Sequence, residues 1–488
     1  MAPFKNLTQV QLLKATFFLL LTLTLALHYL LSSSITNHKP LMLFVLYVSL
    51  VSVLSYVLTR PRPVFLLDFS CFLPDHDRKC PFEVAEYFIR RSNRFTEKSE
   101  EFMKGIFRKS GLGDETYAPP FIFEQDYEAK HASAVQEAEE GIITSVDSLL
   151  AKTKLNMSII DTLVVTCGTF TPAPSLTSHI VEHYKMSPDI KTYNLSGMGC
   201  SSGAASIDLA YRILNGSRMI RYILVVITES ISLSWYFGDD RSMLVTNCIF
   251  RVGTASAIVT NDPKCRARAK FELVRSLRTH TGSDDASYNA AYQAEDEDGN
   301  VGVALKKDLV RVAGKGLKTH IRTLAPWVLP WAELVYYAYR MVIGSESDKP
   351  YVPDFTTAFE HVCIHTGGKA VIESVGQLMR FGSDVTEPAR MCLHRFGNTS
   401  SSLVFYELAY FEAKKRIKKG DRVWMLAFGT GFKVCSLVWR ALKDSGLDAD
   451  NPWKDSIRRL GTYGGVILYC YKEKVVVIHK NKLYGSKE

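Results

Sequence analysis

Three short stretches of the chain carry side chains suited to covalent chemistry. In Asn194-Leu195-Ser196-Gly197-Met198-Gly199-Cys200-Ser201-Ser202-Gly203, one cysteine stands between an apolar run with strand character (190–195) and an amphipathic helical pattern at Ile207, Ala210, Tyr211 and Leu214, which stops at Asn215-Gly216. Glycines 197 and 199 permit a tight turn. The helix start that follows would aim unpaired N–H groups and its positive end at the thiol, which predicts easier loss of the proton and a better nucleophile. A buried, inert cysteine is the commoner fate of the type, but glycine on both sides argues for presentation. His361-Val362-Cys363-Ile364-His365-Thr366-Gly367-Gly368 ends a strand in a glycine pair and sets His365 where loops carry function. His361 and His365 have the spacing of two zinc ligands, but that arrangement needs a helix and usually a Glu after the first His, so no metal is expected. His394-Arg395-Phe396-Gly397-Asn398-Thr399-Ser400 reads, taken alone, as a helix cap. Gly429-Thr430-Gly431-Phe432 lacks the third glycine of a dinucleotide loop, yet Gly431 could offer a backbone N–H to an oxyanion.

The elements that must position these residues alternate. Strands are expected at 162–166, 190–195, 222–228, 255–259, 362–365, 423–428 and 466–471, with helices between them at 134–150, 176–184, 369–379 and 403–417. That alternation predicts an α/β fold. Gly199-Cys200-Ser201-Ser202, Asp208-Leu209-Ala210-Tyr211 and the strand at 222–228 are echoed by Gly397-Asn398-Thr399-Ser400, Glu407-Leu408-Ala409-Tyr410 and the strand at 423–428. The echo predicts an internal duplication in which Cys200 and Asn398 begin equivalent helices and meet at one site. Residues 323–343, rich in Trp and Tyr but interrupted by Pro326, Pro330, Glu333 and Arg340, suggest an amphipathic cap or membrane-surface element.

The 488 residues, 47% of them apolar, are enough for two to four domain-sized units and a large core. Runs at 15–31 and 41–58 are each near the length that spans hydrocarbon and are expected to form a transmembrane hairpin. Lys5, Lys14, Arg60 and Arg62 outside the pair, against Lys39 between, put both ends in the cytosol. Ten cysteines without a C-x-x-C pair fit a reducing compartment. Two of the five Asn-x-Ser/Thr sites fall at Asn194 and Asn398, inside the reactive stretches, which again favours the cytosolic side. The net charge of +9 comes with no zinc-finger or RNA-binding signature, so no nucleic acid is expected.

Taken together, Cys200, His365 and Asn398 make the chain resemble the plant 3-ketoacyl-CoA synthases, the condensing enzymes of very-long-chain fatty acid elongation. Further matching segments include Leu67-Asp68-Phe69-Ser70-Cys71, Val301-Gly302-Val303, Lys349-Pro350-Tyr351 and Gly429 to Lys433. The resemblance implies a thiolase-like duplicated fold layered αβαβα. It would have a membrane anchor at 1–63, a half carrying the nucleophile at 64–345 with an insertion at about 276–345, and a half carrying His and Asn at 346–488. It also implies a Cys200-His365-Asn398 triad, with Gly431, His280, His361 and His394 as supporting or oxyanion candidates. Long-chain acyl-CoA and malonyl-CoA would be substrates, with no metal or redox cofactor. A homodimer in the endoplasmic reticulum membrane is implied, its catalytic part cytosolic, working with the reductases and dehydratase of an elongase complex.

In the implied reaction Cys200 takes the acyl group, malonyl-CoA loses carbon dioxide, and the neutral donors His365 Nε2–H and Asn398 amide hold the enolate. The chain departs from the family pattern at Ser230, Thr254 and Val434-Cys435. These departures leave open a catalytically weak paralogue acting as a binding subunit. A polyketide-synthase-like condensing enzyme is the other alternative.

Overall fold

Apolar, β-branched runs form the strands of the computed structural model, which describes residues 44–52, 62–217, 219–343, 351–365 and 367–457, and the backbone of four short strands between 460 and 483. Residues 44–52 are helical. The rest of the expected hairpin lies outside the described residues, and among those described no helix is long and apolar enough to cross a membrane.

Val64–Glu488 forms one compact unit. Its main strands are β1 (Phe65–Cys71), β2 (Thr162–Cys167), β3 (Lys191–Ser196), β4 (Tyr222–Glu229), β5 (Gly253–Thr260), β6 (Phe271–His280), β7 (Ala291–Glu295), β8 (Val301–Leu305), β9 (His361–Ile364), β10 (Arg422–Gly429) and β11 (Lys433–Ala441). The helices, single turns apart, are α1 (Phe82–Ser92), α2 (Glu97–Ser110), α3 (His131–Thr153), α4 (Leu176–His183), α5 (Ser202–Gly216), α6 (Arg241–Ile249), α7 (Leu309–Val328), α8 (Trp331–Ile343), α9 (Lys369–Met379), α10 (Glu387–Phe396) and α11 (Leu403–Ala413).

Nine strands join in the order β3-β2-β4-β5-β1-β6-β11-β10-β9. Outward from the antiparallel β1–β6 contact the two arms mirror each other: β1-β5-β4 and β6-β11-β10 are antiparallel, and β4-β2 and β10-β9 are parallel. β6 pairs with β11 although it precedes residue 345 in the chain. Alternate residues of each arm face different helices, as strand periodicity requires. Ile223, Val225 and Ile227 of β4 and Val423, Met425 and Ala427 of β10 all pack on α5 and α11. Leu224 and Val226 pack instead on α3, and Trp424, Leu426 and Phe428 on α7 and α9. The order is therefore outer helices, sheet, central helices, sheet, outer helices. Every residue of α11 is buried, as a helix apolar on all sides demands. It ends at Ala413, short of the expected 417, because Lys415 turns left-handed and the Arg416 N–H closes onto the Phe411 carbonyl.

The run at 190–195 becomes β3, but as an edge strand with Lys191, Thr192 and Tyr193 exposed. Residues 323–343 divide between α7 and α8, which meet at Leu329-Pro330. At the back of the sheet Lys270 bonds Asp68 (3.0 Å), Glu412 (3.0 Å) and Asp448 (2.6 Å), while Lys152 reaches Asp68, Asp448 and Asp450. Burial lifts the Glu412 carboxyl to about 7 against the pull of Lys270.

The three departures from the family pattern find partners in this frame. Ser230 Oγ donates to the Ala134 carbonyl (3.0 Å) beside the buried Glu137. Cys435 joins the core around the central helices. Thr254 Oγ1 pairs with Thr228 Oγ1 at 2.7 Å and fills space left by Gly141 of α3, where a Cβ would collide with it. Gly141→Ala is therefore expected to destabilise the protein by about 1–3 kcal/mol through overpacking. In a Thr254→Gly background the same change should be neutral or stabilising, because Ala is the better helix former by about 1 kcal/mol. Denaturant unfolding of the four variants checks this, and additive losses would refute the contact.

Candidate active site

Cys200 sits in the turn Gly199–Ser201 that leads into α5. Gly197 (φ 66°) and Gly199 (φ 60°) take left-handed conformations, and a Cβ on Gly199 would strike the backbone nitrogen of Thr430. From the other side, a Cβ on Gly429 would strike Ser201 Oγ and the Met198 carbonyl, and one on Gly203 the Ser401 carbonyl. The turn of Cys200 and the start of α5 are therefore pressed against the end of β10 and the start of α11 without room for a side chain.

Asn398 follows Gly397 (φ 71°) at the end of α10. Its N–H donates to the Ile249 carbonyl and its carbonyl accepts from the Arg251 N–H, both at 3.0 Å. Asn398 Oδ1 accepts from the Ser400 N–H at 2.9 Å, leaving buried Nδ2 without a partner among the described residues. His365 follows β9, and its N–H donates to the Leu426 carbonyl at 2.8 Å. The buried imidazole has no partner for Nδ1 among the described residues, and burial holds its pKa down at about 4. It is neutral at physiological pH.

Cys200, His365, Asn398 and Gly431 line one cavity of about 340 Å³, whose wall is otherwise largely apolar, including Trp235, Phe250, Leu305, Leu309, Phe428 and Phe432. Volume and lining are those of a small-molecule site. Cys200 is half-buried, while the other eight described cysteines are buried. The expected acidic thiol is not found. Burial pushes Cys200 up to about 12, helped by the nearby Glu229 carboxylate and opposed by Ser400 and the cysteine's own N–H. Desolvation of a thiolate outweighs the start of one helix, so the resting group is a thiol.

Two residues of this cavity were not foreseen as site residues. The Glu229 carboxylate accepts from the Gly168 N–H (3.1 Å), the Thr169 N–H (2.9 Å), Thr169 Oγ1 (2.8 Å) and Ser400 Oγ (2.9 Å). Ser400 Oγ is also 3.5 Å from Cys200 Sγ. A hydroxyl has one proton to give. With Ser400 donating to Glu229, the neutral thiol can donate to Ser400; if the thiolate forms, the hydroxyl can turn to it. Ser400 stood within a noted motif, whereas Glu229 lay just past an expected strand, with partners about sixty residues earlier at Gly168 and Thr169 and 171 residues later at Ser400.

The other histidines lie outside the cavity lining. His361 Nε2 pairs with Asp421 Oδ2 at 2.8 Å, and its ring packs on Phe411. His394 fills space that Gly113 leaves open. His280, exposed at the end of β6, accepts from the Gly282 N–H through Nδ1 at 3.0 Å. They hold structure around the site.

A family model described as FAE1/Type III polyketide synthase-like protein matches residues 56–345. One described as 3-Oxoacyl-[acyl-carrier-protein (ACP)] synthase III C terminal matches residues 356–441. Among curated proteins, 3-ketoacyl-CoA synthase 2 of Arabidopsis thaliana is 47% identical over 416 residues, covering 82% of this chain and 78% of that protein. 3-ketoacyl-CoA synthase 11 of the same plant is 46% identical over 407 residues, covering 82% and 80%. The chain belongs to the 3-ketoacyl-CoA synthase family. Solved structures share its thiolase-like fold at low identity. CsyB complexed with CoA-SH has a TM-score of 0.61 at 19% identity, covering 78% of this chain and 100% of its own. A fungal type III polyketide synthase, ORAS, has a TM-score of 0.59 at 16% identity, covering 78% and 99%.

Iodoacetamide alkylation of Cys200, followed by peptide mass spectrometry, should accelerate steadily with pH and still be rising at pH 10, and Ser400→Ala should slow it further. A plateau near neutral pH would contradict the thiol assignment. Burial also keeps His320, His365 and His394 at about 3, 4 and 4, against roughly 6.5 in an unfolded chain. Between those values the unfolded state binds more protons, so stability should fall as pH drops from about 6.5 toward 4. Denaturant midpoints across that range test it, and a His320→Gln variant should show a shallower fall.

Proposed function

We propose that the cavity carries out a decarboxylative Claisen condensation between a long-chain acyl-CoA and malonyl-CoA. One observation carries this reading: a half-buried cysteine, a neutral imidazole and an amide with a buried unpaired Nδ2 line a single largely apolar cavity. The acyl thioester carbonyl meets Cys200. The sulfur attacks as its proton passes through the neutral His365 to the departing CoA sulfur, leaving an acyl-Cys200 thioester and free CoA. Backbone N–H groups of the Cys200 turn and Gly431 serve as the oxyanion donors. Malonyl-CoA then binds with its thioester oxygen toward His365 and Asn398. An unpaired buried donor costs about 1–3 kcal/mol, and an enolate oxygen relieves that cost at Asn398 Nδ2 in the step where charge develops. Loss of carbon dioxide gives the enolate, whose carbon attacks the acyl-Cys200 carbonyl. The 3-ketoacyl-CoA leaves two carbons longer, and the Cys200 thiolate takes up one proton from solvent. The site needs no redox or metal cofactor for this sequence.

The placement of the family departures gives no support to the reading as an inert binding subunit. Ser230, Thr254, Val434 and Cys435 are absent from the cavity lining and are packed into the surrounding frame. A polyketide-like activity has the wording of the shared family model and distant structural likeness in its favour, while the curated relatives at 46–47% identity support the 3-ketoacyl-CoA synthase reading. The exposed backbone edge of β3, close before Cys200, supports a homodimer formed along that edge. The apolar runs at 15–31 and 41–58 support residence in the endoplasmic reticulum membrane with the catalytic unit cytosolic. A 3-ketoacyl-CoA product calls for the reductases and dehydratase of an elongase complex.

Microsomes containing the chain, supplied with malonyl-CoA and a panel of saturated and monounsaturated acyl-CoAs, should yield 3-keto products two carbons longer. Cys200→Ala should form neither acyl-enzyme nor product. Asn398→Ala should keep Cys200 acylation and lose at least about 100-fold in condensation, the scale of one oxyanion-type donor. Equal loss of both half-reactions in Asn398→Ala would remove its assignment to the enolate.

A further inference from the structure

More than half of the net charge is concentrated in one segment. Residues 306–343 hold seven Lys and Arg against two acids, a net +5 of the chain's +9. On α7 the bases recur at helical spacing, and Lys307, Arg311, Lys315, Lys318 and Arg322 line one groove beside α9. Arg311 pairs with Asp308 (2.7 Å) and Lys315 with Asp284 (3.3 Å). Among the described residues Lys307, Lys318 and Arg322 make no ion pair.

The exposed positions run on from Arg322 through Pro326 and Pro330 into α8, where their character changes from basic to apolar. Trp331 is 82% exposed, Val335 64%, Tyr336 47% and Tyr339 54%. Residues 331, 335 and 339 are successive turns of one face. The other side of α8 is fastened: Leu334 packs on the core, and Glu333 accepts from the Asp354 N–H (2.8 Å) and from Tyr351. The exposed face is thus held in place, with a basic stripe preceding it in the chain.

We propose that α7 and α8 form a second membrane contact, separate from the N-terminal hairpin, which lays the basic stripe on anionic lipid headgroups and sets Trp331, Val335 and Tyr339 at the interface. Trp and Tyr on an apolar face, with Lys and Arg alongside, suit the headgroup region. The stripe spans about 22 Å from Lys307 to Arg322. That length matches an extended anionic surface better than the clustered phosphates of one CoA molecule. Leu309 and Ala313 of α7 also line the reaction cavity, so the contact would hold that wall close to the bilayer in which very-long-chain acyl groups partition. The inference rests on the membrane residence proposed above, and its test reads the two separately.

The full chain is mixed with vesicles of phosphatidylcholine, with and without phosphatidylserine, carrying acyl-chain bromines that quench tryptophan. Wild type should show a quenched component that Trp331→Phe lacks, larger with phosphatidylserine. Lys318→Glu combined with Arg322→Glu should lose the phosphatidylserine dependence while KM for malonyl-CoA in detergent stays unchanged. Identical quenching in wild type and Trp331→Phe overturns the proposal. So does a raised KM in the charge-reversed variant with quenching intact, which would make the stripe a CoA-phosphate site. Flotation at high salt reports the hairpin alone: a chain that washes off would sink the anchor, while Trp331 quenching at low salt would still support this contact.

Discussion

The rest of the catalytic unit depends on how closely two turns approach. The backbone that begins α5 touches the backbone that begins α11 at Gly203, against the Ser401 carbonyl, and the Cys200 turn touches the end of β10 at Gly199, against Thr430, and at Gly429, against Met198 and Ser201. A methyl group at any of them would force the turns apart. With the turns in contact, Ser400 reaches Cys200 and Glu229 together, and Asn398 enters the cavity that the cysteine opens onto. The layered packing on both sides presses this junction shut. The mirrored strand order explains why a cysteine and an asparagine so far apart in sequence become neighbours.

Desolvation sets the chemistry of the site. It drives His365 neutral and Cys200 to the thiol, the opposite of what a helix start alone would do to a cysteine. A neutral imidazole can shuttle a proton and offer an N–H, and does not compete with an enolate as a strong acid would. In the proposed reaction Cys200 would carry charge only around the acyl-transfer steps, when oxyanion donors would share the load.

Much of this was legible in the sequence. Long apolar runs such as those in β2, β4 and β10 identify buried strands, because strands covered on both faces show no polar alternation. The repeated turn-helix-strand order around Cys200 and Asn398 foreshadows the mirrored arms, and glycine spacing singles out the half-buried cysteine that lines the cavity. What escaped was set by distant packing. β3 is expected as an apolar run, yet Lys191, Thr192, Asn194 and Ser196 are polar, as suits its place last in the sheet. His361 and His365 are indistinguishable by type, and only Asp421 and Phe411 reveal that the first is structural. The sign of the Cys200 shift needs the walls of the cavity, supplied by residues from 168 to 432.

The ion cluster behind the sheet bears on how the chain is made. β1 is among the first elements of the catalytic unit to leave the ribosome, yet Ser70 bonds Asp450, 380 residues later, and Lys270 and Lys152 join Asp68 to Asp448. At about 5–20 residues per second, translation puts roughly 20–80 s between the two ends of that contact. For that interval the face of β1 that carries Leu66, Phe69 and Cys71 lacks α11, while Phe65 and Leu67 on the other face find α3 early. The central-helix layer over β1 thus closes late in synthesis, and until then the nascent chain depends on whatever shields that face of its first strand.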